Sequence, residues 1–276
     1  MGSTTYNVPD ATGLASGTLS FMAERCVLIT GGAGGIGSAL ARKLVARGDK
    51  VALFGRRIEA LDERVAELGP SAMAVAGDAT KPEDLQNAVD AAVERFGTLD
   101  GLAHCVGSIR LKSLHLTTPE EFVETLTTNL TSAFLACRAA LGPMRRQGFG
   151  SIVLVSTVAV HQGLNNHETI SAAKGGIEGL VRSAAMTYAR ANIRFNAVAP
   201  ALTETPLAAP LLRSDAARAF SEAMHPLGRL GAADDVAGPM AFLLGPESGW
   251  VTGQVWGIDG GLGAGLGPPR AVTTKV

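Results

Sequence analysis

The chain contains few of the residues that mark disulfide-rich, metal-binding or nucleic-acid-binding proteins. Its 276 residues include three cysteines, Cys26, Cys105 and Cys137, and no two of them form a C-x-x-C pair. This spacing predicts neither a disulfide framework nor a metal site, and it is typical of reduced cytoplasmic thiols. Lysine and arginine total 24 against 25 acidic residues, a net charge of −1. This balance argues against a nucleic-acid partner and against a polybasic membrane patch.

Long hydrophobic runs are also absent. No apolar stretch approaches the ~20 residues that span a bilayer, and the N-terminus has no basic segment followed by an apolar core. We therefore expect neither a membrane segment nor a secretory signal. The hydrophobic fraction of 46% is nevertheless enough for a sizeable core, and a chain of 276 residues commonly folds as a single α/β domain.

Seven short apolar runs, several of them rich in valine and isoleucine, predict buried strands. Most of the segments between them have helical spacing, as at Leu61, Val65 and Leu68. Such alternation predicts a doubly wound, Rossmann-like parallel sheet of about seven strands, with helices on both faces. We predict one domain over residues 23–262, an N-terminal extension over 1–22 and a tail over 263–276. The predicted strands span 26–30, 51–54, 72–76, 101–105, 152–155, 194–199 and 255–258.

A glycine-rich turn follows the first predicted strand and opens a predicted helix. Glycines let the backbone turn sharply and let a pyrophosphate approach, while the helix N-terminus offers free N–H groups and a positive dipole end. The strand-to-helix context favours a dinucleotide site over a structural turn. The predicted contacts in this turn are Thr30, Gly31, Gly34, Gly35, Ile36 and Gly37.

The second predicted strand ends at Gly55-Arg56-Arg57. NAD-binding sheets carry an acidic residue near this point for the ribose hydroxyls, whereas a guanidinium grips a 2′-phosphate. The pair predicts NADP(H) in preference to NAD(H). The alternative is that both arginines are ordinary solvated residues.

These motifs resemble the short-chain dehydrogenase/reductase family over nearly the whole chain. Residues 30–37 look like its TGxxxGxG cofactor turn, and Asp78-Ala79 like the segment that holds adenine. His104-Cys105-Val106-Gly107 stands where the family has Asn-Asn-Ala-Gly. The stretches at 196–201 and 258–261 resemble the family's Asn-x-Val-x-Pro-Gly and Asp-Gly-Gly. The resemblance implies further cofactor contacts at Cys105, Val106, Gly107, Lys174, Pro200, Leu202 and Thr205.

The departures from the family pattern fall at its catalytic positions. Ile170 precedes Lys174 where the family has Tyr-x-x-x-Lys, and Thr157 stands for the catalytic serine, although a one-residue shift to Ser156 would restore it. The tyrosine supplies the proton as hydride reaches carbon. The chain's two tyrosines are no substitutes, since Tyr6 lies in the N-terminal extension and Tyr188 lies ~21 Å beyond Lys174 along a straight helix.

Several groups can still assist a reaction. The resemblance implies that Lys174 binds the nicotinamide ribose and that Asn129 holds a water beside it, while Thr157 keeps a hydroxyl. Loss of a positioned acid typically costs ~10²–10⁴-fold in rate. His167 is our candidate replacement acid, because it shares a helical face with Ile170 and Lys174; the alternative is a passive cap or wall residue. We expect Asn165 to be the N-cap of this helix, with a capping box at Glu168.

We predict an NADPH-dependent oxidoreductase acting on a ketone, a conjugated enone or an imine, with the proton not supplied by tyrosine. The alternatives are a cofactor-binding homologue with little turnover, serving as a scaffold or sensor, and a lyase or isomerase on the same fold. Residues 203–225 are the expected lid. Its apolar side chains favour a medium-sized apolar substrate, namely Leu207, Pro210, Leu211, Leu212, Phe220 and Met224.

The family resemblance also implies a homotetramer or homodimer. In the family, the helices that carry Asn129 and Lys174 pack against their twins. Small residues on these helices would allow close approach, namely Ala139, Ala140, Gly175, Gly176 and Ala184.

Overall fold

The computed structural model describes residues 25–265. The predicted N-terminal extension at 1–22 and most of the predicted tail lie outside the described residues. All seven predicted strands form one parallel sheet, which confirms the expected fold class. The strands of this sheet are β1 (Cys26–Thr30), β2 (Lys50–Gly55), β3 (Ala72–Ala76), β4 (Gly101–His104), β5 (Gly150–Val155), β6 (Ile193–Pro200) and β9 (Val255–Ile258). Two short strands between β6 and β9, namely β7 (Thr203–Glu204) and β8 (Gly231–Ala232), pair with each other in a second sheet.

Eight α-helices connect and cover the strands within the described range. They are α1 (Gly35–Ala46), α2 (Ile58–Leu68), α3 (Pro82–Phe96), α4 (Pro119–Leu126), α5 (Ser132–Gln147), α6 (Glu168–Tyr188), α7 (Asp215–Met224) and α8 (Ala233–Leu244). Helices α3, α5 and α6 contribute to one apolar core, and α1, α2 and α8 to the other. The sheet is therefore buried on both faces, as its continuous apolar strands require.

The strand order determines where a ligand can bind. The sheet runs β3-β2-β1-β4-β5-β6-β9, so the chain winds one way from β1 to β3 and the other way from β4 onward. The direction reverses between β1 and β4, and a crevice opens there beyond the carboxyl ends of the strands. The glycine turn follows β1, and Cys105-Val106-Gly107 follows β4, so both predicted cofactor segments meet at this crevice.

The small residues predicted for a subunit interface pack mainly within one protomer. Ala139, Ala140 and Ala184 belong to the apolar core. A Cβ at Gly176 would lie 2.6 Å from Leu130 Cδ2, so this glycine lets α6 approach the segment before α5. These residues therefore explain close packing inside the chain and give no separate support for the predicted oligomer.

Candidate active site

A groove and a cavity lie side by side at the carboxyl edge of the sheet. The groove passes over the glycine turn and the end of β2, and the cavity has a volume of about 760 Å³. Both are lined by Cys105, Val106 and Gly107 after β4 and by Leu207 after β7. Because they share this wall, an elongated ligand lying in the groove would extend one end into the cavity.

The glycine turn leaves room for a phosphate because side chains are excluded from it. Gly31 has φ +73°, and a Cβ there would lie 3.0 Å from the backbone carbon and oxygen of Cys105. A Cβ at Gly35 would lie 2.6 Å from Thr205 Cγ2. The N-cap of α1 is Gly34, which gives no side-chain cap, so the N–H groups of the first turn stay available to an anion. The turn fits a dinucleotide pyrophosphate.

Two residues predicted as cofactor contacts, Thr30 and Gly37, line neither the groove nor the cavity. Thr30 is fully buried, and its hydroxyl lies 2.8 Å from His104 Nδ1. Gly37 is buried beneath the turn, where a Cβ would collide with the Gly31 carbonyl oxygen. Thr30 turns its side chain into the core, and Gly37 allows α1 to pack against the loop, so direct contact of these two residues with the cofactor stays a prediction.

His104 is a residue whose role was not evident from the motif comparison. Its Nε2 lies 3.0 Å from Ser132 Oγ, and Ser132 donates its own proton to the Thr128 carbonyl oxygen at 2.6 Å. Ser132 Oγ is therefore the acceptor and His104 Nε2 the donor, which leaves Nδ1 to accept from Thr30. The ring ties the end of β1 to the start of α5, and complete burial lowers its pKa to about 3, with the positive charge of Lys174 adding to the effect.

The two arginines after β2 line the groove beside Asp78 and Ala79. Both Arg56 and Arg57 are exposed, and neither forms a salt bridge with another residue between 25 and 265. Asp78 Oδ1 accepts from the backbone N–H and the hydroxyl of Thr80, each at 2.9 Å. These hydrogen bonds, with a smaller contribution from the charge of Arg56, hold the pKa of Asp78 below its ordinary value. The arginines are positioned to bind an anion at this end of the groove.

Lys174 lies on α6 with only 6% of its surface exposed and lines the cavity. Its Nζ donates to the Val155 carbonyl oxygen at 2.8 Å, at the end of β5. Burial lowers the pKa of Lys174 to about 8. A Cβ at Gly107 would lie 3.4 Å from Lys174 Nζ and 2.9 Å from Asn129 Oδ1, so the glycine lets the chain pass between these two side chains.

Asn129 lies in a π-helical turn, Thr127–Thr131, between α4 and α5. Its amide group donates to the Thr125 carbonyl oxygen and to Ser108 Oγ, each at 3.0 Å, and Oδ1 accepts from the Ser108 N–H at 3.1 Å. The amide protons are therefore both engaged, and Oδ1 keeps one acceptor site. Ser108, which was not singled out in the sequence, lines the cavity and accepts from Asn129.

Thr157 and Ser156 have different surroundings. Ser156 is 2% exposed and donates to the carboxylate of Glu178 at 2.8 Å. Thr157 lines the cavity, where its hydroxyl makes a long, 3.5 Å contact with the Pro200 carbonyl oxygen. Such a contact is weak, so the Thr157 proton is available to an oxygen atom in the cavity. Pro200, Leu202, Thr205 and Ile36, which the sequence predicts as cofactor contacts, also line this cavity.

The helix that carries Lys174 begins later than predicted. Its first residue is Glu168 and its N-cap position is His167, so the expected capping box at Asn165 and Glu168 is wrong. The reason is local, because Asn166 has φ +62° and the left-handed backbone turns the chain before the helix starts. Ile170 is 5% exposed, and both it and His167 line the cavity.

His167 is restricted by its own hydrogen bond. Its Nδ1 lies 2.7 Å from the Asn165 carbonyl oxygen, and a carbonyl only accepts, so Nδ1 carries the proton. A neutral His167 therefore has an acceptor, and no proton, at Nε2. Only the imidazolium form would act as an acid from that nitrogen.

The predicted lid contains β7, a short 3-10 helix at Ala209–Leu212, and α7. Four of its predicted apolar residues line the cavity, and Pro210 and Leu212 do not. Most of the cavity wall is apolar, which suits a medium-sized apolar ligand. The four lining residues are Leu207, Leu211, Phe220 and Met224.

Tyr188 lies outside the cavity lining, where its ring is stacked on Phe195 with ring centroids 5.6 Å apart.

Within residues 25–265, no helix has both the length and the apolar surface that a bilayer crossing requires. Over the same range, His, Cys, Asp and Glu side chains form no group that could hold a metal ion.

Comparisons with known proteins agree with this architecture. A short-chain dehydrogenase family model, described as enoyl-(acyl carrier protein) reductase, matches residues 31–263. A 3-oxoacyl-[acyl-carrier-protein] reductase of Bos taurus is 36% identical over 239 residues, covering 87% of this chain and 98% of that protein.

Solved structures give the same result. A variant of the actinorhodin polyketide ketoreductase with NADPH has a TM-score of 0.83 and 30% identity, covering 87% of this chain and 97% of that one. A 3-ketoacyl-(acyl-carrier-protein) reductase from Brucella melitensis complexed with NADH has a TM-score of 0.81 and 29% identity, with 87% and 98% covered. The chain therefore belongs to the short-chain dehydrogenase/reductase family of oxidoreductases.

Proposed function

We propose that this protein is an NADPH-dependent reductase of a carbonyl compound, with a ketone as the primary substrate class. The observation that carries the proposal is the continuity of the groove with the cavity in which Lys174, Asn129 and Thr157 converge. When bound, the nicotinamide supplies a hydride to the substrate carbon. The names of the similar proteins, which include an oxoacyl reductase and a polyketide ketoreductase, support a ketone.

The choice of NADPH rests on Arg56 and Arg57. They are exposed, they line the groove and not the cavity, and they have no internal ion-pair partner among the described residues. A guanidinium is suited to a 2′-phosphate, which NADPH carries and NADH lacks. The similar structures contain either cofactor, so the preference is carried by these two side chains alone.

Proton delivery is the part of the mechanism that departs from the family. We assign Ile170 to the position of the family's tyrosine, one turn before Lys174 on α6. Lys174 has a pKa of about 8 because of burial, and this value suits proton donation near neutral pH. In the proposed reaction Thr157 donates a hydrogen bond to the carbonyl oxygen, and Lys174 supplies the proton, directly or through a water held at Asn129 Oδ1. His167 is the alternative acid when it is protonated.

The test of this proposal is NADPH oxidation with a panel of ketones, conjugated enones and imines. We expect ketone reduction in the native protein to be slow, and the Ile170→Tyr variant to raise it by ~10²-fold, because a positioned acid is worth ~10²–10⁴-fold. Ile170→Phe is the matched control, since it fills the same space without a hydroxyl.

An equal rate in the tyrosine and phenylalanine variants would contradict the proposed role of position 170. Turnover of enones alone would move the function to conjugate reduction, in which the oxygen needs stabilisation more than a proton. If no substrate oxidises NADPH in any of the three proteins, the reductase proposal fails and a binding role gains support.

A further inference from the structure

A histidine in the wall of the cavity has a ring nitrogen without a partner. His225 follows α7 in the lid and is 3% exposed. It lines the cavity of about 760 Å³ and also a smaller cavity of about 340 Å³. Its Nε2 has no hydrogen-bond partner within the described residues 25–265. A buried nitrogen in this condition is unfavourable unless a ligand satisfies it.

The other ring nitrogen determines what this partner must be. His225 Nδ1 lies 2.7 Å from the Ser221 carbonyl oxygen. Since a carbonyl can only accept, Nδ1 carries the proton and Nε2 of the neutral ring presents a lone pair. The missing partner is therefore a hydrogen-bond donor, such as a hydroxyl or an N–H group.

The His225 ring lies between the glycine turn at Gly260 and α7, where Ser221 binds its Nδ1. A Cβ at Gly260, which has φ +61°, would lie 3.5 Å from the Cβ and Cδ2 atoms of His225, so the glycine turn supports that side of the ring. On the lid side, none of the residues of α7 is buried. A hydrogen bond between Nε2 and a ligand therefore requires that α7, which contributes no buried residue, shift enough for Nε2 to reach the larger cavity.

His225 Nε2 is a polar atom next to mostly apolar side chains of the lid. Leu211, Phe220 and Met224 give the lid part of the cavity an apolar lining. Ser221 on α7 also lines the cavity, but an acceptor among mostly apolar side chains still discriminates, because a ligand that lacks the matching donor leaves it unpaired. Hydrophobic contacts alone would not distinguish a hydroxyl from a methyl group to the same degree.

We propose that His225 Nε2 accepts a hydrogen bond from the substrate, so that the preferred substrate is an apolar carbonyl compound with a second, hydrogen-bond-donating group. The identity of the reacting carbonyl rests on the reductase function proposed above. The recognition of the donor group is a binding property, and it is measured without turnover.

The experiment compares ligands that differ only by a hydroxyl or a methyl group. Isothermal titration of the full chain, with and without NADP⁺, would use para-hydroxybenzylacetone against its para-methyl counterpart, and para-hydroxyacetophenone against para-methylacetophenone. The two pairs place the donor at different distances from the carbonyl. We expect the native protein to bind the hydroxyl member of at least one pair about tenfold more tightly.

Three variants make the result specific. His225→Phe keeps a flat ring without the acceptor, and we expect it to reduce the preference to within about twofold while binding the methyl ligand as before. His225→Gln offers Oε1 near the position of Nε2 and should restore part of the preference. His167→Phe, which changes another histidine of the cavity lining, is the control that should retain this preference.

The proposal is overturned if the native protein shows no hydroxyl preference in either pair, or if His225→Phe keeps it. Should that variant not fold, nitrogen NMR of isotope-labelled histidine in the native protein gives the same answer. The Nε2 signal of His225 must then move with the hydroxyl ligand and stay in place with the methyl ligand. A protein that shows the preference and never oxidises NADPH would refute the reductase proposal and leave the recognition intact.

Discussion

Among single residues, His104 should make the folding stability depend on pH. Its folded-state pKa is about 3, because burial and the charge of Lys174 disfavour the imidazolium, against an ordinary value of 6.5. Between these two values the unfolded chain binds a proton at this residue and the folded chain does not. Folding stability is therefore lost as the pH falls from 6.5 towards 3, and by pH 4 the loss from this group amounts to about 3 kcal/mol.

Replacement of His104 by asparagine should remove this titration. We expect the decrease in the free energy of unfolding between pH 7 and pH 4 to be smaller in His104→Asn by about 3 kcal/mol, whatever the variant costs at pH 7. Urea unfolding at a series of pH values measures it. The exposed His115 provides the control, since His115→Asn should follow the native curve. Parallel curves for His104→Asn and the native protein would show that His104 is protonated in the fold.

At the scale of elements, α6 is joined to the loop after β5 by a buried carboxylate. Glu178 is 2% exposed and lies one turn beyond Lys174. Its Oε1 accepts from Ser156 Oγ at 2.8 Å and lies 2.9 Å from His161 Nε2. Ser156 immediately precedes Thr157, so Glu178 fixes the loop that presents the Thr157 hydroxyl. We regard it as a positioning residue, because it lines neither the groove nor the cavity described above.

This link gives a prediction that separates positioning from folding. Glu178→Leu leaves the Ser156 hydroxyl without its acceptor, and we expect kcat to fall about tenfold while the KM for NADPH stays within twofold. Glu178→Gln keeps an acceptor oxygen and should recover most of the rate. Arg182 contacts the same carboxylate at 3.6 Å and is largely exposed, so Arg182→Gln should have little effect. Equal losses in the leucine and glutamine variants would indicate that charge, and not position, is what matters.

For the whole molecule, the seven strands were predictable because each is a short apolar run buried on both faces. Such a run can be recognised from a few consecutive residues of the sequence. The glycine turn and Lys174 were predictable because their motifs are contiguous in sequence. The start of α6 was not, because the left-handed backbone at Asn166 makes the helix begin at Glu168, later than its side-chain pattern indicates. His104 was missed because its two partners, Thr30 and Ser132, lie 74 and 28 residues away along the chain. His225 was missed because its place in a cavity wall depends on the tertiary fold, which spacing along the chain does not indicate.

The groove extends across the carboxyl edge of the sheet, so its ligand should stabilise the molecule as a whole. A ligand that binds only the folded state at 100 times its Kd adds about 2.7 kcal/mol, and 1 kcal/mol corresponds to about 2–4 °C in Tm for a protein somewhat smaller than this one. We expect NADPH to raise Tm by roughly 5–10 °C and NADH by clearly less at equal concentration.

The double variant Arg56→Ser, Arg57→Ser should weaken NADPH binding at least tenfold, because the 2′-phosphate loses its guanidinium partners. It should also remove most of the difference between the Tm shifts caused by NADPH and NADH. Arg42→Ser, an exposed change on α1, should leave both shifts as they are. Equal shifts with NADPH and NADH in the native protein would show that the two arginines do not select the cofactor.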